Sequence, residues 1–234
     1  MTRIIGIVSG KGGVGKTTLV SNLSHVLTEL GKDVTAVDAN LTTPHLGLHL
    51  GFHMVPKSLH DFLRGDAKLK DVIYYHPYGF KVIPAGLSVN DLIGVNADKL
   101  QNLTLSLVGK TDFILLDSAP SLGKEATLSL KVSDELILLT NPNLPAVLDI
   151  LKVARIRESL NKKILGVVVN RATKRDDLKK VRARIIGKGG QTLKTLCNIS
   201  NCFFELKDNE IGILGRPEDI KFTNHMTIFS RNAV

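Results

Sequence analysis

The stretch Gly10-Lys11-Gly12-Gly13-Val14-Gly15-Lys16-Thr17-Thr18 gathers glycines, lysines and hydroxyls into a form suited to holding a chain of phosphates. Consecutive backbone N–H groups can converge on phosphate oxygens only where side chains leave room and unusual φ values cost little. Gly10, Gly12, Gly13 and Gly15 meet that need. Lys16 then supplies a point charge for the β- and γ-phosphates, and Thr17 offers a hydroxyl to Mg²⁺. The flanks agree with this chemistry. Ile4 to Val8 reads as a buried strand, and Thr17 to Gly31 sets Leu19, Val20, Leu23, Val26, Leu27 and Leu30 on one helical face, so a helix N-terminus would add its dipole. A glycine-rich turn with no ligand is the bland alternative, and the strand before and the helix after speak against it.

Lys11 puts a second lysine inside the loop. After a strand Val34 to Val37 comes Asp38-Ala39-Asn40-Leu41-Thr42-Thr43-Pro44. After a strand Phe113 to Leu116 comes Asp117-Ser118-Ala119-Pro120-Ser121-Leu122-Gly123. With the loop, these segments resemble the deviant Walker A ATPases of the MinD and ParA family, archaeal MinD-type proteins in particular, over residues 1–174. The resemblance implies ATP and Mg²⁺ as cofactors and hydrolysis of ATP to ADP and phosphate. It also implies an ATP-dependent homodimer in which Lys11 reaches the partner's nucleotide, and a role in cell division or in spatial positioning and partitioning. The two aspartate segments correspond to the family's first switch and to its Walker B with second switch. Gly10 to Thr18 would be the nucleotide-binding loop, and Gly123 would let a backbone amide meet the γ-phosphate.

Strand-end carboxylates have a chemical reason to be there, because ligands of open α/β sheets bind outside the carboxyl ends of the strands. Asp117 would orient the water shell of Mg²⁺, while Asp38 would sit beside the metal and the attacking water. Each aspartate alone could be an ordinary turn former, and the preceding loop gives the pair its weight. Many family members carry a second carboxylate where this chain has Asn40. An amide cannot take a proton yet can orient water through its oxygen, so slow, positioning-dependent hydrolysis is expected, with Lys11, Lys16, Asp38 and Asn40 as the catalytic set.

By the same resemblance, the helix beginning near Leu144 faces the dimer partner and carries Asp149 and Lys152. A solvated i, i+3 pair explains those two residues equally well. Asn170-Arg171 ends a later strand where the family's asparagine meets the adenine edge, a task suited to an amide that donates and accepts at once.

The 234 residues, 43% hydrophobic and 23% charged, suffice for one full α/β domain with a small appendage. Strand-like runs at Ile4 to Val8, Val34 to Val37, Phe80 to Ile83, Phe113 to Leu116, Glu135 to Leu139 and Ile164 to Val169 alternate with helical patterns. The expected fold is a mainly parallel, doubly wound P-loop sheet with helices on both faces. Continuous apolar strands are what a sheet buried on both faces requires. No stretch approaches a membrane span, the start lacks the features of a secretory signal, and Cys197 and Cys202 fit reduced thiols, so a cytoplasmic protein is expected, with peripheral attachment to the inner face of the membrane as a lesser option. Iron–sulfur relatives carry a Cys-x-x-Cys pair or cysteines in the switch half, and this chain has neither, which disfavours cluster transfer. His45, His49, His53 and His60 tempt a metal reading. Pro44, Gly47 and Gly51 interrupt the segment and no carboxylate or cysteine joins it, so a switch-proximal loop and short helix with Leu46, Leu48 and Leu50 packed inward is preferred.

The net charge of +9 suggests an anionic partner. From about residue 175 the chain departs from the family. Lys179 to Leu193 contains Ile185-Ile186-Gly187-Lys188-Gly189-Gly190, which resembles the Ile-Ile-Gly-x-x-Gly core of a KH domain. Residues 175–234 would then form a small α/β, KH-like segment, with strands Cys202 to Leu206 and Glu210 to Leu214. The resemblance implies RNA as a second partner class, with Gly187, Lys188, Gly189 and Gly190 approaching the backbone and Arg184 neutralising charge. Ile211 to Leu214 followed by Pro217-Glu218-Asp219 also resembles the late strand and loop of the MinD family, so both readings stay open for this segment. The tail from Ile220 to Val234 has a thin cationic face, which ranks an acidic membrane surface below nucleic acid as a partner.

Overall fold

Runs of β-branched and aliphatic residues that alternate with helical patterns must stack as strands covered by helices, and the computed structural model of the chain has this architecture. It describes residues 1–120, 123–143, 145–146, 148–150, 152–153, 162–171, 203–207 and 210–214. The strands are β1 (Arg3–Val8), β2 (Val34–Ala39), β3 (Tyr74–Tyr75), β4 (Lys81–Ile83), β5 (Phe113–Ser118), β6 (Glu135–Thr140), β7 (Lys163–Val169), β8 (Phe203–Lys207) and β9 (Glu210–Leu214). The helices are α1 (Lys16–Glu29), α2 (Leu46–His49), α3 (Leu59–Arg64), α4 (Leu100–Leu107) and α5 (Lys124–Val132). Seven strands form a sheet in the order β3-β4-β2-β5-β1-β6-β7. β1 with β5, β5 with β2 and β2 with β4 pair in parallel, and the short edge strand β3, which the sequence reading did not foresee, pairs antiparallel with β4.

The chain divides into two compact units, Met1–Val8 with Gly15–Leu136, and Ser9–Val14 with Ile137–Val234. In the first unit, β2 and β5 are buried at every position, as a sheet covered on both faces demands. Ile4, Val37, Ile83, Ile114 and Leu116 of the strands pack with Leu59 and Leu63 of α3 and Leu100, Leu103 and Leu107 of α4. Their burial is the main favourable term in folding, about 25 cal/mol per Å² of apolar surface removed from water.

Helix α1 corrects the sequence reading. Val20 and Leu27 are buried as expected, but Val26 and Leu30 are exposed, while Ser21 and Ser24 point inward. The buried serines are affordable because each hydroxyl donates to the carbonyl four residues back, Ser21 to Thr17 and Ser24 to Val20, both at 2.8 Å. Leu48 of α2 is likewise exposed, whereas Leu46 is fully buried, because a helix of one turn can bury only one face.

The second unit contains most of β6, whose residues Ile137 to Thr140 are buried, together with β7. Described residues within 145–153 are helical, in line with the helix expected from about Leu144. β8 and β9 form an antiparallel hairpin in register Phe203 to Leu214 and Lys207 to Glu210, within a residue of the strands expected there.

Gly6 of β1 sits in tight packing within the first unit. A Cβ there would lie 2.4 Å from Ser133 Oγ and 3.2 Å from a Leu136 methyl. Ser133 Oγ is itself committed, donating to Ser129 O at 2.6 Å. Gly6→Ala is therefore expected to destabilise the chain by about 1–3 kcal/mol through overpacking, partly recovered by adding Ser133→Ala. Denaturant unfolding of the single and double variants reads this directly, and equal stability of Gly6→Ala and the parent chain would refute it.

Candidate nucleotide site

The glycines of the loop serve different ends. Gly13 and Gly15 have φ of 70° and 105°, the left-handed region that side chains disfavour, and Gly15 is also the N-cap of α1. Gly10 is needed for space, since a Cβ there would fall 2.3 Å from Asp149 Cβ and 2.8 Å from the Asp149 carbonyl carbon. Ser9 Oγ donates to Lys11 O at 2.7 Å and so shapes the turn into the loop.

In the first unit, strand register builds the acidic part of the site. Asp38 and Asp117 are register partners at the ends of the parallel neighbours β2 and β5, at 0% and 2% exposure. Burial and the adjacent Asp117 push the Asp38 carboxyl well above the usual carboxylate range, against the opposing pull of backbone donors from Leu46, Asn40 and His45. The donors from Leu46 and Asn40 lie at 2.9 and 3.3 Å. Burial also raises the Asp117 carboxyl, while the Thr17 hydroxyl, Lys16, His45 and His49 pull it down. Lys16 is 8% exposed, and burial lowers its pKa while Asp117 raises it.

Thr17 Oγ1 donates to Asp117 Oδ2 at 2.6 Å, so the loop threonine and the strand-end aspartate already meet. The other oxygen, Asp117 Oδ1, is buried with no hydrogen-bond partner among the described residues. A buried carboxylate oxygen left unsatisfied is costly and needs an explanation. Mg²⁺ with its water shell supplies one, because it takes hard oxygen ligands and keeps several waters. Thr17, Asp38 and Asp117 thus fit the metal expected from the sequence.

After Asp38 the chain turns sharply. Asn40 Nδ2 donates to Thr43 O and lies 3.1 Å from Thr43 Oγ1, while Thr43 Oγ1 donates to Asn40 Oδ1 at 3.2 Å. The Asn40 amide thus fastens its own loop in this state. Thr42 presents its N–H and hydroxyl to the Glu125 carboxylate in the first turn of α5. Sequence reasoning missed Glu125, since nothing in its local pattern distinguishes it from a helix-start acid that favours the dipole. Gly123, the expected second-switch residue, caps α5 in extended conformation with φ of −65°, so its role does not rest on conformational freedom. Of the four histidines, His60 is fully buried and bonds to backbone, and no group of His, Cys, Asp and Glu able to hold a metal occurs among the described residues.

In the second unit, Lys11 Nζ lies 3.9 Å from Asp149 Oδ2, and Lys152 Nζ lies 3.1 Å from Asp149 Oδ1. Asp149 is therefore shared between the loop lysine and its helical neighbour. Asn170 Nδ2 donates to Val14 O at 2.7 Å, and Asn170 Oδ1 accepts from Arg171 N at 2.8 Å. Arg171 holds a left-handed φ of 60°. The asparagine expected at the base edge thus braces the glycine-rich loop. Arg184 and Gly187, Lys188, Gly189 and Gly190, expected at an RNA site, lie outside the described residues, as do Ser121 and Leu122 of the second aspartate segment.

The buried acids give a pH dependence with a definite sign. Both carboxyls titrate above their ordinary value of 3.8, so between that value and their folded pKa the folded chain holds more protons than the unfolded one. Stability of the ligand-free chain is therefore expected to fall as pH rises from about 4 through the folded pKa values. Mg²⁺ with ADP should offset the loss, and its stabilising effect should grow with pH. Asp38→Asn should flatten the slope and raise the melting temperature at neutral pH. Thermal melts from pH 5 to 8, with and without Mg·ADP, check this, and an unchanged slope in Asp38→Asn would contradict it.

The sequence matches the family model for ParA, described as "NUBPL iron-transfer P-loop NTPase", over residues 1–204. An ATP-binding protein of Methanocaldococcus jannaschii, described as uncharacterised, is 36% identical over 173 residues, which make up 74% of this chain and 66% of that protein. The chain thus spans just under two thirds of that relative's length. Among solved structures, the septum site-determining protein MinD of Pyrococcus horikoshii complexed with Mg-ADP is 43% identical, with a TM-score of 0.71 over 74% of this chain and 71% of that one. Cobyrinic acid a,c-diamide synthase of Mycobacterium smegmatis with ADP and magnesium reaches a TM-score of 0.67 at 27% identity, over 79% and 82% of the two chains. Glycine loop, paired strand-end acids and these similarities agree: the chain belongs to the ParA family of P-loop NTPases, with MinD among its structural neighbours.

Proposed function

We propose that this protein is a Mg²⁺-dependent ATPase of slow turnover that dimerises on binding ATP and uses the cycle to position or partition a cellular component. The observation that carries the reading is the buried group of Lys16, Asp38 and Asp117 with the half-buried Thr17, in which one carboxylate oxygen has no partner among the described residues. The likeness to a septum site-determining protein supports the output. The family description mentions iron transfer; transfer of an iron–sulfur cluster would call for thiolates, and the sequence has only Cys197 and Cys202, both outside the switch half.

In this reading Lys16 neutralises charge on the β- and γ-phosphates, and the loop N–H groups hold the remaining oxygens. Thr17 and Asp117, with Asp38 beside them, would hold Mg²⁺, which would supply positive charge against the negative charge of the phosphates. Asp38 and Asn40 place the attacking water. The Asn40 amide cannot take a proton, so its contribution is orientation, consistent with slow turnover. Asn170, already braced against the loop, faces the base. Lys11 is half exposed and only loosely paired with Asp149, which leaves it available to the nucleotide of a second copy.

Lys16→Ala is expected to lose nucleotide binding. Lys11→Ala should bind ADP like the parent chain, stay monomeric with ATP and lose turnover by roughly 10²-fold or more, the scale of removing one transition-state donor. Sedimentation with ADP and with a slowly hydrolysed ATP analogue separates these outcomes, and ATP-driven dimers of Lys11→Ala would sink the switch reading.

A second reading, RNA binding by the C-terminal segment, is favoured by the hairpin β8–β9, which lies downstream of the basic stretch Lys179 to Lys194. Gly189→Asp with Gly190→Asp should abolish binding of a structured RNA and spare ATP binding. Unchanged RNA affinity would remove this reading.

A further inference from the structure

His60 is fully buried, yet both ring nitrogens are partnered by backbone of two different loops. Its Nδ1 accepts from Gly86 N at 2.8 Å, just beyond β4. Since that nitrogen faces an N–H, the ring proton must sit on Nε2, which lies 3.2 Å from Leu41 O and donates to it. One neutral tautomer satisfies both contacts. Burial lowers the ring's pKa and favours the neutral form. Asp91, Asp61 and the Leu41 carbonyl pull the other way, and Arg64 works with burial.

Leu41 directly follows Asn40 and comes three residues after Asp38. Within the turn 38–43, the Asn40 to Thr43 bonds close the turn on itself, and Thr42 reaches Glu125 at the surface. His60 ties the same turn to a buried helix. The ring is placed in turn by α3, whose N-terminus is fixed to the exit of β4 and closed by its own capping box. Leu59 N donates to Pro84 O at 2.8 Å, and Asp61 Oδ2 accepts from Ser58 N at 2.8 Å and from Ser58 Oγ at 3.0 Å.

We infer that His60 is a positioning residue for hydrolysis, tethering the Leu41 carbonyl so that Asp38 and Asn40 hold their places at the site. The inference rests on the ATPase reading above, but it concerns residues that touch no nucleotide. A fully buried histidine serving only as core filler would need no match between its tautomer and two separate loops. Here the ring instead couples the exit of β2 to the exit of β4.

The test uses two amide replacements in the full chain. His60→Asn keeps an acceptor near the Nδ1 position for Gly86 and loses the donor to Leu41. His60→Gln keeps a donor near the Nε2 position. Single-turnover hydrolysis is expected to fall roughly 10- to 100-fold in His60→Asn, as expected of a displaced catalytic group, with Mg·ADP affinity within about twofold of the parent. His60→Gln should recover most of the rate. Gly86→Ala, whose methyl would meet Asp91 Oδ2 at 2.3 Å, shifts the N–H that orients the ring and should give the same selective loss. Amide hydrogen exchange of residues 40–43, read without nucleotide, should quicken in His60→Asn and stay near native in His60→Gln. Equal loss in the two amides, or unchanged exchange in His60→Asn, would overturn the inference. A parent chain with no hydrolysis but the expected exchange pattern would instead count against the ATPase reading alone.

Discussion

Two carboxylates buried side by side at the ends of neighbouring strands form the constraint on which the site depends. The parallel register of β2 on β5 brings Asp38 opposite Asp117, and neither is open to solvent. Removing even one carboxylate from water costs several kcal/mol, and a like charge beside it adds to that. The chain answers with donors. Leu46 N reaches Asp38 at 2.9 Å, Thr17 Oγ1 reaches Asp117 at 2.6 Å, and Lys16 supplies the opposite charge. The account is left incomplete at Asp117 Oδ1, where a cation would complete it. Strand pairing thus creates the demand for metal, and the loop that follows β1 brings residues able to share it.

That demand shapes the neighbouring segments. Because Asp38 accepts from Leu46 N, the residues between them must fold back toward the strand end, and the one-turn helix α2 starts where that bond is made. Leu46 is then driven into the core at 0% exposure while Leu48 stays outside. The turn is held by side-chain to backbone bonds of Asn40 and His60 and by the burial of Leu41 in the core. Beyond the buried Leu41, the exposed Thr42 and Thr43 are held by a few bonds of about 1 kcal/mol each, while the strand beneath them is buried throughout. The proposed switch would draw on this contrast between rigid floor and exchangeable loop.

Much of the arrangement was legible in the sequence because it rests on short-range rules. A glycine loop between an apolar run and a helical pattern is local, and so are aspartates that close apolar strands. The strands from Ile4 to Val169 were found to within a residue or two for the same reason. What escaped depends on contacts distant in sequence. Glu125 meets Thr42 across 83 residues, and His60 meets Gly86 across 26, with no local pattern to announce either. The inward serines of α1 were misjudged because hydrophobic periodicity assumes that polar residues face water. Ser21 and Ser24 escape the rule by bonding to their own helix. The two-residue strand β3 was too short to register as a pattern.

Gly10 and Lys11 stand next to each other but obey different physics. Gly10 is fixed by close approach to the backbone of Asp149, so any side chain there would force the helix at 145–153 to shift. Lys11 meets the same aspartate only at 3.9 Å and with nearly half its side chain exposed. An exposed pair of that kind contributes about 0–1 kcal/mol and weakens with salt. The steric contact therefore sets where the helix lies, and the ionic one can be surrendered at little cost. A polyphosphate carries more charge than one carboxylate, so Lys11 would gain by leaving Asp149 whenever such a group came within reach. In the proposed cycle, the weakness of the pair would suit the loop lysine to a nucleotide-dependent change of partner.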